Sequence, residues 1–415
     1  MKPAQNHDGM RLPETHVSGW HATLSGACAS LVGIGLARFA YTPLLPAIID
    51  AGWFAPSAAA YLGAANLAGY LAGALLGRPM AARLPAPVLL RGLMLLATVA
   101  FFACSVPISL SWFFVWRLLS GISGGALMVL AAPTVLPHVP HRRRGIASGA
   151  IFSGVGLGIT ASATLVPLLL GQGLAVAWWG LGALSLALTI VAWAGWPSGN
   201  PPTAARHAGY AQLHHRSHQH SHQSIIRLRS LYVEYAFNAA GLVPHMLFLV
   251  DYVARGLGQG LDSGAQYWVL FGLGAVVGPV LTGHLADHTG FGPALRLAFF
   301  IEAAGVLLPT VGAGTPGLII SSLVMGAFTV GIVPLVLGRV HELLPLDVAA
   351  QNRAWSTATT CFAVLQAASG YGLTFVLTQT GGDYRLLFFI GSLAIVTSLG
   401  IDLVIGVSVS RRRSA

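Results

Sequence analysis

Only 12 of the 415 residues are acidic, and Asp, Glu, Lys and Arg together make up 8% of the chain. A soluble globular domain carries about a quarter of its residues as charges, so this shortage excludes a water-facing surface over most of the molecule. Cysteine is also scarce. Cys28, Cys104 and Cys361 all fall in apolar segments, and no disulfide framework is read from them. No Walker A pattern to cradle a nucleotide, no metalloprotease pattern and no nucleophile elbow is read, so neither an ATP-driven pump nor a membrane enzyme is expected. No cofactor site and no metal site are read. Apolar runs are continuous rather than alternating, which excludes a transmembrane barrel. The first 20 or so residues are polar and carry no small-residue cleavage site, so no removable signal peptide is expected.

What the chain has in abundance is apolar length. Hydrophobic residues make up 55%, glycine contributes 51 residues, and the mean hydropathy is +0.73. Segments of about 20 apolar residues, each enough to cross roughly 30 Å of hydrocarbon as a helix, recur throughout. They predict an all-α membrane protein with twelve spans near 22–49, 57–77, 86–106, 110–136, 146–170, 175–196, 230–254, 264–283, 293–311, 315–338, 353–378 and 385–409. In such a chain glycine favours close helix packing rather than loops.

Basic residues give the orientation, because cytoplasmic loops are enriched in them. With both termini inside, Arg255 and Arg385 are the only basic residues in outer loops and Arg38 and Arg117 lie within spans; the other 18 of the 22 fall on or beside the inner face. The net charge of +10 thus follows the membrane rather than a nucleic acid. A multi-pass location in a cell inner membrane, with both termini cytoplasmic, is expected. The longest polar interval separates six spans from six, giving a cytoplasmic tail (1–21), a six-helix half (22–196), a histidine-rich cytoplasmic linker (197–229), a second six-helix half (230–409) and a short tail (410–415). The halves echo each other at an offset of 201: Pro43 with Pro244, Gly125 with Gly326, and "PTVL" at 133–136 with "PLVL" at 334–337. An internal parallel repeat accounts for this and places a ligand site near the midplane between the halves.

Two six-helix halves joined by a cytoplasmic linker resemble the major facilitator superfamily of secondary transporters. "GHLADHTG" at 283–290 is similar to that superfamily's G-x-L-x-D-x-x-G loop, while the first-half counterpart, "GRPMAARLP" at 77–85, keeps Gly77 and Arg83 but has Ala81 in place of aspartate. "WRLLSGISGGA" at 116–126 resembles the fourth-helix pattern, and "GVGLG" at 154–158 is a loose relative of the antiporter fifth-helix signature without its glycine–proline pair. "RFAYTPLLP" at 38–46 resembles the first helix of the YbfB/YjiJ family. The resemblance implies the major facilitator fold, transport by alternating access, and a cavity lined by spans 1, 4, 7 and 10. It further implies a gating role for Asp287 and Arg83, with Asp287 docking at the N-terminus of span 5 near Ala147 and Ser148.

Several intramembrane residues are candidates for that cavity. Arg38 near the middle of span 1 costs about 2.5–3.5 kcal/mol on an insertion scale unless water, a partner or a cargo engages it. Arg117 lies about two turns into span 4. Guanidinium forks match carboxylates and phosphates, so both arginines are candidate cargo ligands; the alternative is that each satisfies backbone carbonyls or pairs with an acid. Pro43 and Pro46 break span 1, with the hydroxyls of Tyr41 and Thr42 placed to re-satisfy the freed backbone, and the kink is a candidate gate. Tyr41 joins the cargo candidates. In span 7 Glu234, Asn238 and His245, spaced by four and seven, share a face. Asn238 and His245 are candidate cargo ligands, and Glu234 a candidate proton-coupling group. Glu302, deep in span 9, is either a second coupling group or a protonated partner in a helix-packing hydrogen bond. "HHRSHQHSH" at 214–222 has five histidines able to bind metal, although low-complexity tracts of this kind need no ligand.

These residues predict a monomeric secondary transporter, proton-linked, moving a small organic solute; two arginines in one half favour an anion. The alternatives are proton-driven efflux of amphipathic compounds and a non-transporting membrane sensor.

Overall fold

The computed structural model describes residues 19–140, 144–197, 222–312, 314–345 and 347–414. Among them twelve helical passages pack into one bundle: α1 (Gly19–Asp50), α2 (Pro56–Ala81), α3 (Ala86–Ala103), α4 (Leu110–Val135), α5 (Arg144–Leu170), α6 (Leu174–Ala192), α7 (His222–Gly256), α8 (Gly260–Thr289), α9 (Phe291–Leu307), α10 (Gly314–Leu343), α11 (Val348–Gln379) and α12 (Tyr384–Ser414). Eleven are long and apolar enough to cross a membrane; α9 is shorter, at 17 residues, and carries Arg296 and Glu302. Their outward faces bear large exposed apolar side chains such as Leu168, Ile190 and Val280, as a hydrocarbon solvent requires. Each expected span overlies one passage. The ends differ: α7 is already helical from His222, eight residues ahead of the expected start at 230, and α12 continues to Ser414.

Glycines form the closest seams. A Cβ added at Gly125 of α4 would stand 2.0 Å from the carbonyl oxygen of Tyr70 in α2, and one at Gly73 of α2 would stand 2.1 Å from that of Ile122 in α4. The second half repeats the seam between α8 and α10, where a Cβ at Gly278 would be 1.9 Å from the Ala327 oxygen and one at Gly326 1.9 Å from the Phe271 oxygen. Only a residue without a side chain allows backbones so near, which is the usual small-residue solution to helix packing in lipid.

Two pairs join the halves along their length, α5 with α8 and α2 with α11, while the segment of α1 after residue 40 meets α7 near its own break. Both first helices are irregular. In α1, wide i→i+5 turns over Leu31–Leu36 lead into a turn at 37–40 before the helix resumes at Tyr41. In α7, wide turns start at Pro244 and recur at Tyr252. Pro43 and Pro244, the repeat-related prolines, both adjoin irregular backbone, Pro43 just after the break in α1 and Pro244 at the start of the one in α7.

Polar staples fix the periphery. Arg296 of α9 pairs with Asp402 of α12. Asp251 of α7 accepts from the Tyr384 hydroxyl of α12 at 2.5 Å and pairs with Arg255 at 3.3 Å. In the first half, Thr98 and Ser185 hydroxyls bond at 2.7 Å between α3 and α6.

Candidate functional site

The break in α1 exposes backbone that the surrounding helices complete. The Ala37 carbonyl accepts from Arg117 Nη1 at 2.9 Å, from Asn66 Nδ2 at 3.4 Å and from Ser120 Oγ at 3.4 Å. Arg117 is buried, with its guanidinium 4.3 Å from the centre of the Tyr41 ring. Tyr41 and Thr42 do not close the break as the sequence predicts. Their hydroxyls leave the helix: Tyr41 donates to the Ala59 carbonyl at 2.6 Å, and Thr42 donates to the Met246 carbonyl of α7. The donors that complete α1 come from α2 and α4 instead, because the freed carbonyl faces those helices.

Arg38, the next residue, is placed differently. It is partly exposed. Its Nη2 reaches only the Met246 thioether, at 3.9 Å, its charge lies 4.8 Å from the Tyr70 ring, and its buried Nε has no partner. Among the described residues no acid lies within ion-pair distance of either guanidinium. Gln366 of α11 donates to the same thioether at 3.5 Å, and its Oε1 is unpartnered. Tyr235 of α7 lies within electrostatic reach of Arg38, stacks against Trp355 and meets Phe362 of α11 at a tilt. Four helices from both halves therefore meet around Arg38 and Met246.

The second-half candidates divide into three places. Asn238 Nδ2 donates to Glu302 Oε2 at 2.6 Å; both residues are fully buried, and Asn238 Oδ1 and Glu302 Oε1 are unpartnered. His245 Nε2 lies 2.7 Å from Ser321 Oγ, whose proton goes to the Gly305 carbonyl at 2.7 Å. The histidine must then be the donor, leaving its buried Nδ1 as an open acceptor. Glu234 sits apart, lining a cavity of about 10 Å³ with Arg227, Ser230, Arg296, Arg339 and Asp402.

A larger cavity of about 200 Å³, lined by Pro43, Val166, Leu170, Val250, Leu261 and Asp262, lies on the far side of the Thr42–Met246 bond. Pro46 is buried in the resumed helix. Arg83 is exposed in the turn after α2. Asp287 lies on the last turn of α8, with its side chain outside the described residues, as is linker 198–221. Asn66, Tyr70, Tyr235, Met246, Ser321 and Gln366 were not singled out from the sequence; Asn66 and Gln366, polar amides inside apolar spans, carried the signal that could have found them. The run Gly121–Gly125 has the glycine–serine spacing of a nucleophile elbow. It lies in mid-helix, however, with Ser123 Oγ donating to the Leu93 carbonyl at 2.5 Å.

A family profile described as "Uncharacterised MFS-type transporter YbfB" matches residues 30–403. No curated protein matches the sequence significantly. Among solved structures, the xylose transporter XylE from E. coli in a partially occluded inward open conformation is similar, with 14% identity and a TM-score of 0.69 over 92% of this chain and 96% of that one. A D-xylose–proton symporter is similar at 15% identity and a TM-score of 0.67, over 93% and 97% of the two chains. At these identities the likeness is one of fold.

Proposed function

Since the chain belongs to the family of MFS-type transporters described by YbfB, and is therefore a multi-pass membrane transporter, we propose that it moves a small organic solute by alternating access, with Arg38 meeting the cargo. The observation that carries this reading is the state of Arg38. It is a partly exposed residue at the junction of the halves, with no acid beside it among the described residues and a thioether and aromatic faces as its neighbours. A charge inside a bundle needs better acceptors than these. A carboxylate or another strong acceptor on the cargo supplies them, with Tyr70, Tyr235 and Gln366 contributing polar and aromatic contacts around it. Arg117, with Nη1 donating to the Ala37 carbonyl and its charge over the Tyr41 ring, acts as a strut for the break in α1.

The bond from Thr42 to Met246 joins the two broken helices between the site and the larger cavity, which supports a gate at that level. Proton linkage is assigned to Glu302, with Glu234 at the entry from the end that carries the linker and both termini, the cytoplasmic face of an inner membrane in this reading.

The test is uptake by proteoliposomes of a panel of carboxylates, phosphates and sugars, with and without a pH gradient. Arg38→Lys keeps the charge and loses the planar fork, so transport of the true cargo should fall about 10- to 100-fold, the worth of a charge-assisted hydrogen bond, with little change in melting temperature. Unchanged flux with lowered stability would make Arg38 a scaffold residue and remove the anionic preference. Glu302→Gln should leave counterflow intact while abolishing the response to the pH gradient.

A further inference from the structure

The run "HLADH" at 284–288 places two histidines one helical turn apart at the end of α8. Both are exposed, and their ring centroids are 4.4 Å apart. The Nδ1 of His288 lies 2.9 Å from the His284 carbonyl, which can only accept, so this nitrogen carries the proton. The Nε2 of neutral His288 is then the lone-pair nitrogen. A ligating histidine is commonly oriented this way, with one ring N–H tied to a backbone carbonyl and the other nitrogen free for a metal.

We propose that His284 and His288 form a binding site for a divalent transition-metal ion of the zinc, nickel or copper class. Histidines at i and i+4 lie on one helical face and bind zinc in that register. Two imidazoles at about 2.0–2.1 Å from one ion have their nitrogens roughly 3 Å apart, which rings at this separation reach by small side-chain rotations. The pair continues the exposed apolar line of Val277, Val280 and Leu281, so it sits where the membrane face of α8 ends and water begins. Remaining coordination positions are open to water. A bound ion would fasten the last turn of α8 just ahead of Gly290, whose φ of 81° forms the swivel into α9. This site stands independently of the cargo reading.

The linker's imidazoles are the same ligand type, so the test uses the full chain with His207, His214, His215, His218, His220 and His222 changed to serine and no histidine tag. The protein is held in phosphatidylcholine nanodiscs. Zinc titration by calorimetry should give one ion per chain, and copper(II) should show an electron paramagnetic resonance spectrum with nitrogen couplings. His284→Gln or His288→Gln should weaken zinc binding at least tenfold, with metal-free melting temperatures unchanged. Moving the second ligand one residue, as His288→Gln with Thr289→His, should not restore it. The proposal is overturned if the linker-substituted chain binds no stoichiometric zinc, or if binding persists when both histidines are replaced.

Discussion

Replacing Gly278 with alanine tests whether close backbone seams set the stability of the bundle. The new Cβ would stand 1.9 Å from the Ala327 carbonyl oxygen, whereas ordinary contacts begin at 3.4 Å. The obstructing atom is backbone, so no rotamer relieves it and α8 must move from α10 by about 1.5 Å. Overpacking alone costs about 1–3 kcal/mol where neighbours can yield. Separation also loosens the seam at Gly274 and Gly326, and each weakened Cα–H···O contact there is worth roughly 0.5–1 kcal/mol. Alanine's better helix propensity returns about 1 kcal/mol. The net expectation is a loss of about 1–4 kcal/mol, or a fall in melting temperature on the order of 1–5 °C for a chain of this length. Gly92→Ala is the control, since a Cβ there meets nothing within 4 Å. Unfolding is read in detergent with a thiol-reactive dye, because Cys28 and Cys104 are buried until the bundle opens. A Gly278→Ala protein that melts with the wild type, or a Gly92→Ala protein that falls equally far, would refute the reasoning.

Asn238→Leu should destabilise by about 1–3 kcal/mol, because it leaves Glu302 buried without its amide donor, and Asn238→Leu with Glu302→Leu should recover much of that loss. Melting temperatures of the four proteins in that cycle measure the coupling, and simple additivity would show that the bond carries no weight. Tyr384→Phe removes the donor to Asp251 and should cost about 1–3 kcal/mol, while Arg255→Ala, at the more exposed side of the same acid, should cost under about 1 kcal/mol; paired thermal melts decide. Arg117→Lys should lower the melting temperature through loss of the Ala37 bond and the Tyr41 contact, yet leave cargo affinity within about threefold of wild type; a large affinity loss at unchanged stability would return Arg117 to the cargo site.

The spans were legible because hydrocarbon imposes a length and a polarity on every crossing segment. Where a helix runs on beyond that layer, hydropathy falls silent. The polar start of α7 at His222, the polar ends of α8 at Thr289 and α10 at Leu343, the start of α11 at Val348 and the basic end of α12 at Ser414 are where the expected boundaries fell short. α9, expected to end at 311, stops at Leu307, and its Arg296 and Glu302 dilute its hydropathy because each is matched to a partner on another helix. Such matching depends on the rotation of each helix about its axis, which spacing along one helix cannot give. Glu234, Asn238 and His245 keep the expected spacing, yet their partners lie in separate places, and the wide turns from Pro244 change the register of His245.

The same limit explains the two arginines. From the sequence, Arg38 and Arg117 were equivalent: one guanidinium each, on helices expected to line the cavity. What separates them is the Ala37 carbonyl, left facing α2 and α4 by the break that Pro43 and Pro46 announce. Prolines point to the carbonyls four residues earlier, those of Phe39 and Thr42, whereas the oxygen that the neighbours complete is that of Ala37, and no spacing tells which neighbour supplies the donor. Arg117, Asn66 and Ser120 all converge on that one oxygen, so the first half spends one of its two intramembrane cations on its own backbone. Arg38, one residue beyond, lies where α1, α2, α7 and α11 meet, and its nearest acceptor is a thioether. In the proposed function, an arginine held against so weak an acceptor at the junction of two halves gains a stronger one when cargo arrives and loses it when cargo leaves. That difference between loaded and empty states is what an alternating carrier needs from a residue at its centre.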